Sequence, residues 1–258
     1  MEGSTPDSLL ALHDAGYREV LSRLADGIVV DVGCGVGAQT KRLAASNRIV
    51  IGVDYSAQTA IDAGHNFASK ELAFASMDGS HLGIRAGSVD AIVSSHIIEH
   101  FVNPERHVAE LARVLNDDGQ AFVITPNAPA DFENPFHVYL CDPAQLISIL
   151  RLFFDEVELI GLEGDDVLRA DFAQRRSAGE RLLKLDPFKL RNKIGRRAYV
   201  WAYENALPRV YAMMGSDKSG VGSGLDESHF FATEQISETT PVLFAIARKP
   251  RRFSRDAR

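Results

Sequence analysis

The chain has 258 residues, 45% of them apolar and 24% charged, and a formal net charge of −7. That balance fits one large packed domain with a substantial core and excludes a disordered or fibrous chain. The acidic total argues against broad nucleic-acid binding, which needs a basic face for phosphates, and the basic end RKPRRFSRDAR reads as a solvated tail.

The predicted elements alternate. A helix with apolar spacing runs through Leu24, expected to pack on a sheet edge or cover a ligand, followed by the buried strand GIVVDVG and the helix AQTKRLAAS. Then come the strand IVIGVDYS, the helix AQTAIDAGHNFAS, and the strands LAFASMD and VDAIVSSH. The helix PERHVAELARVL has Asn103 as its expected cap and Pro104 in its first turn, and Gly119 suits the turn into the strand QAFVITPN. The helix DPAQLISILRLFF leads into EVELIGLEG, which makes about six strands by residue 163. Strand and helix in alternation predict an α/β, Rossmann-like, doubly wound parallel sheet. Residues 164–227 break the rhythm with helical patterns and a flexible GSDKSGVGSGLDES, read as an inserted cap or a contact between copies, before HFFAT and TPVLFAIARKP return to strands. Cys34 and Cys141 are too few for a disulfide framework, the opening lacks a signal peptide's apolar run, and no stretch is long enough to span a membrane; a cytoplasmic protein is the expectation.

VVDVGCGVGAQT places Gly33, Gly35 and Gly37 between the first strand and the first helix after it, where backbone N–H groups can approach a nucleotide-like cofactor. Gly33, Gly35 and Ala38 also match the dinucleotide fingerprint, with Asp54 placed to hold ribose hydroxyls, so the loop alone leaves a nicotinamide cofactor and S-adenosylmethionine both open. Asp31 separates them: a carboxylate there would repel a pyrophosphate but suit a ligand carrying an ammonium and a sulfonium. The plainer reading is that Asp31 only caps the loop through backbone hydrogen bonds.

VVDVGCGVG, VIGVDYS, FASMDGSHLGIRAGSVDAIVSSHIIEHF and LARVLNDDGQAFVITPN, in that order and spacing, resemble the class I S-adenosylmethionine-dependent methyltransferases. The resemblance implies a seven-stranded sheet with an antiparallel last strand, the glycine loop with Cys34 facing the methionine part, Asp54 the ribose, and Met77 with Asp78 the adenine. Tyr55 and Ser95 complete the expected cofactor contacts. On this reading residues 1–258 form a single domain: a helical segment 1–27, a cofactor-binding core 28–163, an insertion 164–227, final strands 228–250 and a flexible tail 251–258. The insertion departs from the family pattern.

HIIEH follows the fourth strand directly, at the edge where such folds bind ligands. On one helical turn His96, Glu99 and His100 would share a face. The H-x-x-E-H spacing also occurs in zinc proteases, but the glycine-rich α/β setting lacks their long zinc-binding helix. Two uses remain: a histidine general base oriented by Glu99, or a divalent ion held by Glu99, His100 and His96, as the resemblance to metal-dependent quinone-biosynthesis O-methyltransferases suggests for Glu99 and His100. Two imidazoles suit zinc, manganese or iron better than magnesium. His137, in the irregular NPFHVYLCDP, is a further candidate base or ligand, in a segment that with TPN resembles methyltransferases of sugars and secondary metabolites. His65, His81, His107 and His229 read as surface or satisfied core residues, and the aromatic run AYVWAYENALPRVYAMM as a packed helix. The expected function is methyl transfer from S-adenosylmethionine to a hydroxyl of a small polar acceptor, a sugar or secondary metabolite. A quinone or phenol acceptor, a nicotinamide-dependent oxidoreductase and a non-catalytic cofactor-binding subunit are the alternatives, and a homodimer through the inserted helices is the expected assembly.

Overall fold

The structure is a computed structural model that describes residues 7–131, 137–173 and 223–252. An eight-stranded sheet carries helices on both faces, with strands in the order β3-β2-β1-β4-β5-β8-β6-β7. Its strands are β1 (Gly27–Val32), β2 (Arg48–Asp54), β3 (Leu72–Ser76), β4 (Val89–Ser95), β5 (Leu115–Pro126), β6 (Phe154–Gly164), β7 (Phe230–Thr233) and β8 (Val242–Pro250). β1 to β5 pair in parallel, and β8 runs antiparallel between β5 and β6. The antiparallel closing strand is as expected; the count of seven is not. β6 continues to Gly164, and its end pairs with the short edge strand β7, from Gly161 opposite Thr233 to Gly164 opposite Phe230.

The strands alternate between two cores, as a period of two requires. Val29, Val93, Phe122 and Ile124 pack with Ala11, Leu12, Ala15 and Val20 of α1 (Asp7–Leu21). Val30, Val32, Ile92 and Val123 pack with Val108 and Leu111 of α4 (Pro104–Val114) and with Leu146 and Leu150 of α5 (Pro143–Phe153). The helices start where their sequences say they should. Ser56 accepts from Thr59 N at the head of α3 (Ala57–Phe67), and Asp142 with Gln145 closes a capping box on α5. α4 departs from expectation: Asn103 stands at the cap position, but its side chain makes no capping bond, and Pro104 alone marks the start. Gly119 lies within β5 rather than in a turn before it, where an added Cβ would meet Leu115 Cδ2 at 2.9 Å.

The first residues assigned to a flexible tail are held. Arg251 N donates to Phe153 O at 2.8 Å, and the Arg252 guanidinium reaches Asp117, Ala112 O and Leu115 O. Residues 166–173 are helical, as the insertion's pattern suggests. Most of that insertion, including the aromatic run and the helices expected to join two copies, lies outside the described residues. Among the described residues no helix is long and apolar enough to cross a membrane.

Phe122 lies fully buried on central β5, with its ring 6.1 Å from that of Phe244. Phe122→Ala should cost about 3–5 kcal/mol of unfolding free energy, through lost apolar burial and the cavity left behind, read as a lowered midpoint in urea denaturation.

Candidate active site

Five chain segments converge at the carboxyl edge of the parallel strands: the loop after Val32, Asp54 at the end of β2, Met77 after β3, the HIIEH turn after β4, and Asn127 after β5. The order reverses direction at β1 and β4, and α/β sheets form ligand crevices at such a switch point.

The glycine loop is shaped by backbone sterics. Gly33, Gly35 and Gly37 have φ of +77°, +52° and +84°, a region L side chains enter at a cost. A Cβ on Gly33 would sit 2.0 Å from Ile97 Cδ1, and one on Gly37 2.9 Å from the Phe74 ring. Gly35 differs, because a Cβ there meets nothing within 4 Å. The loop is thus packed from below at two glycines and open at the third. Cys34 is a packing residue; burial pushes its thiol up to about 12, so it is not a thiolate at neutral pH.

Asp31 is fully buried beneath this loop. Tyr17 Oη of α1 donates to one carboxylate oxygen at 2.9 Å, and Thr40 Oγ1 of α2 (Ala38–Leu43) donates to the other at 2.7 Å. Burial pushes Asp31 up to about 6, against these two hydrogen bonds, which favour the ionised form. Asp31 therefore ties α1 and α2 together beneath the loop through side-chain hydroxyls, not through the backbone bonds of the plainer sequence reading, and acts on anything in the cradle through its field. At the next strand, Asp54 accepts from Gly35 N at 3.0 Å and from Ser56 N at 2.9 Å. Asp78 accepts from Ser80 N and Oγ, both at 2.8 Å, and those bonds hold its carboxyl below the usual range. Met77 is partly buried against the core, its N–H donating to Asp54 O at 3.0 Å. Val36 and Tyr55, in and beside the cradle, leave 70% and 82% of their surfaces open, an apolar border suited to a purine or its linker.

HIIEH does not form the regular helical turn its spacing predicts. Ser95 ends β4, His96 adopts φ of +54° with its N–H donating to Ile124 O at 2.8 Å, and only Ile98–His100 form a 3-10 turn. This backbone still brings His96 Nδ1 to 3.4 Å from Glu99 Oε1, too poorly aligned for a full hydrogen bond. Glu99 is fully buried, and its other oxygen accepts from Thr125 Oγ1 at 3.0 Å. Burial pushes Glu99 up, but His96 and His100 outweigh it, so the carboxyl lies below its usual range. The exposed ring of His100 turns instead toward His137, with centroids 5.4 Å apart. His137 Nδ1 pairs with Asp131 Oδ2 at 2.8 Å; burial lowers its pKa, the Asp131 carboxylate raises it more, and the net shift is upward. Val138 N and Tyr139 N both donate to Glu99 O, which fastens the His137 loop to the HIIEH turn.

Ligand atoms of Glu99, His100 and His137 lie within 4.8 Å of one another, a set that could hold a divalent ion. The sequence-based set had His96 in the place that His137 takes. Sequence reasoning also missed the partners. His13 of α1 packs its ring 4.5 Å from His96, and burial pushes it down to about 3, with His96 adding to the shift. Tyr17 was legible only as one apolar position of a helix, and Thr40, Thr125 and Asp131 carried no signal beyond being polar residues near glycines or histidines. The remaining histidines are as read: His65 and His81 are exposed, His229 pairs with Asp165, and buried His107 is satisfied by Ser94 Oγ and Gly79 O.

Residues 30–123, the segment that supplies most of this crevice, match the methyltransferase domain family. That segment is a methyltransferase domain, and the chain is similar to S-adenosylmethionine-dependent methyltransferases. It is 30% identical over 152 residues to a probable S-adenosylmethionine-dependent methyltransferase of Mycolicibacterium smegmatis, covering 57% of this chain and 58% of that one. A ubiquinone biosynthesis O-methyltransferase of Coxiella burnetii is 32% identical over 114 residues, 43% of this chain and 48% of that one. The chain thus spans about half the length of the curated relatives it matches. A solved S-adenosylmethionine-dependent methyltransferase from Thermotoga maritima shares the fold, with a TM-score of 0.59 at 15% identity over 93% of this chain and 92% of that one.

The nicotinamide alternative gives way here, since the family's cofactor is S-adenosylmethionine. The residues present fit it: the open side of Gly35 leaves room for the methionine part, Asp54 and the uncovered Tyr55 lie where ribose and base would follow, and buried Asp31 adds the negative field a sulfonium prefers. Gly35→Ala should cost about 1–2 kcal/mol for its left-handed backbone but leave the protein folded, since no atom meets the new methyl, yet weaken S-adenosylhomocysteine binding at least about tenfold by calorimetry, because the methyl projects into the cradle. Asp31 makes a pH prediction. Its folded pKa is raised from 3.8 to about 6, so its contribution to stability is present below the unfolded value and lost as pH rises to about 6. Relative to Asp31→Asn, the native chain should lose up to about 3 kcal/mol between pH 4 and 6.5 in denaturant titrations.

Proposed function

We propose that the protein is an O-methyltransferase that moves a methyl group from S-adenosylmethionine to a hydroxyl of a small polar acceptor, a sugar or a secondary metabolite. The observation that carries this reading is the pairing of imidazoles with carboxylates at the edge beside the glycine cradle: Asp131 with His137 at 2.8 Å, and Glu99 with His96 at 3.4 Å. An amine acceptor in its neutral form is already nucleophilic, whereas an alcohol must lose its proton, and only the second need calls for a carboxylate-oriented base.

S-adenosylmethionine supplies a methyl carbon made electrophilic by its sulfonium. The chain supplies position and a proton acceptor. Asp131 takes the Nδ1–H of His137 and leaves Nε2 as the basic atom, which would receive the acceptor's hydroxyl proton as the oxygen took the methyl group from the sulfonium. Much of the acceleration is positional, since the reacting oxygen must lie in line with the methyl carbon and sulfur. The two backbone bonds from Val138 and Tyr139 to Glu99 O keep the base at a fixed offset from β4.

A second reading rests on the mutual approach of Glu99, His100 and His137. These three could hold a zinc, manganese or iron ion that binds the acceptor oxygen and lowers its pKa, in place of the base. The similarity to a ubiquinone biosynthesis O-methyltransferase fits either version with a phenolic acceptor.

Transfer of labelled methyl from S-adenosylmethionine to a panel of glycosides and catechols tests the assignment. His137→Ala should lower kcat by about 10²–10⁴-fold with S-adenosylhomocysteine affinity unchanged, and Asp131→Asn should lower it less. Undiminished turnover in both His100→Ala and His137→Ala would remove the mechanism, and loss of turnover on chelation, restored by zinc or manganese, would select the metal version.

A further inference from the structure

Among the described residues, three buried side-chain atoms with no hydrogen-bond partner fall within one short stretch: Ser95 Oγ, His96 Nε2 and Glu99 Oε1. Buried polar atoms are seldom left unpaired, and three together at the ligand-bearing edge of a sheet mark a place where something else completes them. Their chemistry is one-sided. The Glu99 carboxylate can only accept, so the His96 Nδ1 that faces it at 3.4 Å carries the ring hydrogen, and Nε2 presents its lone pair. Ser95 Oγ adapts to either role. With Glu99 Oε1 facing the His96 Nδ1–H, the other two atoms call for one group that donates to His96 Nε2 and shares a bond with Ser95 Oγ, as a hydroxyl does.

This group is held from several sides. The His96 backbone is fixed in a left-handed turn by Ile124 O, Thr125 fixes Glu99, and α1 sends the His13 ring against His96 at 4.5 Å and 64°. His13 has no place in the proton transfer described above, yet it is the α1 side chain that sets which way the His96 ring can turn. Ligand atoms of Glu99, His100 and His137 lie within 4.8 Å of one another, so the inner group and the base stand close enough to meet two neighbouring hydroxyls of one acceptor.

We propose that Ser95, His96 and Glu99 form an inner subsite that receives a second hydroxyl of the acceptor, with His13 as its positioning residue. The acceptor class is then a molecule with neighbouring hydroxyls, either a sugar diol or a catechol. The assignment rests on the methyl-acceptor reading for its role, but its test does not use methyl transfer.

The experiment is nitrogen-15 NMR of the histidine rings in the full chain saturated with S-adenosylhomocysteine. His96 should appear as the Nδ1–H tautomer. Catechol or methyl α-D-glucopyranoside should shift its Nε2 resonance while the dimethyl ether of catechol does not, and which of the two diols acts names the source. Ser95→Ala should weaken that diol about fivefold, the effect of one lost hydrogen bond. His13→Ala should blur the His96 tautomer, and His13→Phe, which keeps a ring in place, should restore it, with melting temperatures checking that each variant folds. A His96 ring protonated at Nε2, a dimethyl ether as effective as catechol, or no response to either diol overturns the proposal. Failed methyl transfer with these responses intact would instead count against the function proposed above and leave the subsite standing.

Discussion

The buried Asp31 carboxylate is the point on which the cofactor edge depends. It takes one hydroxyl from α1 and one from α2, so three elements are fixed by directed bonds, alongside those that Gln39 and Arg42 of α2 make to Asp14 of α1. A buried charge is tolerated only when so paired, and the upward push of burial on Asp31 measures how much of that cost remains. The same arrangement explains why the glycine loop can leave Gly35 open: its shape is set by Tyr17, Thr40, Ile97 and Phe74 beneath it and by the Asp54 carboxylate that holds Gly35 N.

α1 has a larger part than its apolar spacing suggests. Its Tyr17 reaches Asp31 and its His13 reaches His96, so one helix touches both the cofactor cradle and the turn that bears the acceptor-side groups. A shift of that helix would be felt at both places. The Glu99 carbonyl plays the matching part on the other side, receiving two backbone N–H groups from the His137 loop. The site is therefore braced from a helix before the sheet and from a loop after β5. The chemistry itself is not set by the fold, which hosts many reactions, but by the side chains at its carboxyl edge.

Much of the fold was legible because its signals are local. GIVVDV, the glycines after it and the capping residues of α3 and α5 act within a few residues of where they stand. The candidate cofactor residues follow from position, since a residue just past a parallel strand must lie at the carboxyl edge. What could not be read depends on distant pairs. Nothing near His13 announces His96, and Tyr17 looks like any other apolar helix position until Asp31 is placed opposite it. Strand β7 was visible as a strand, but its edge position depends on β6 running on to Gly164. The HIIEH turn was misjudged for a different reason: the interaction between His96 N–H and Ile124 O on the next strand pulls the backbone away from helix.

Where β6 ends and β7 begins, Asp165 pairs with His229 through its carboxylate and its N–H, and the rings of Phe172 and Phe230 meet edge to face. Arg18 then grips the carbonyls of Glu227 and Phe230. The departure and return of the long excursion from the sheet are thus clasped at its neck. Closing a loop whose ends are already fixed adds little entropy per extra residue, because the cost rises only with the logarithm of length. Descendants of this chain can lengthen or shorten the segment between those clasped ends while the carboxyl edge of the sheet inherits the change almost without penalty.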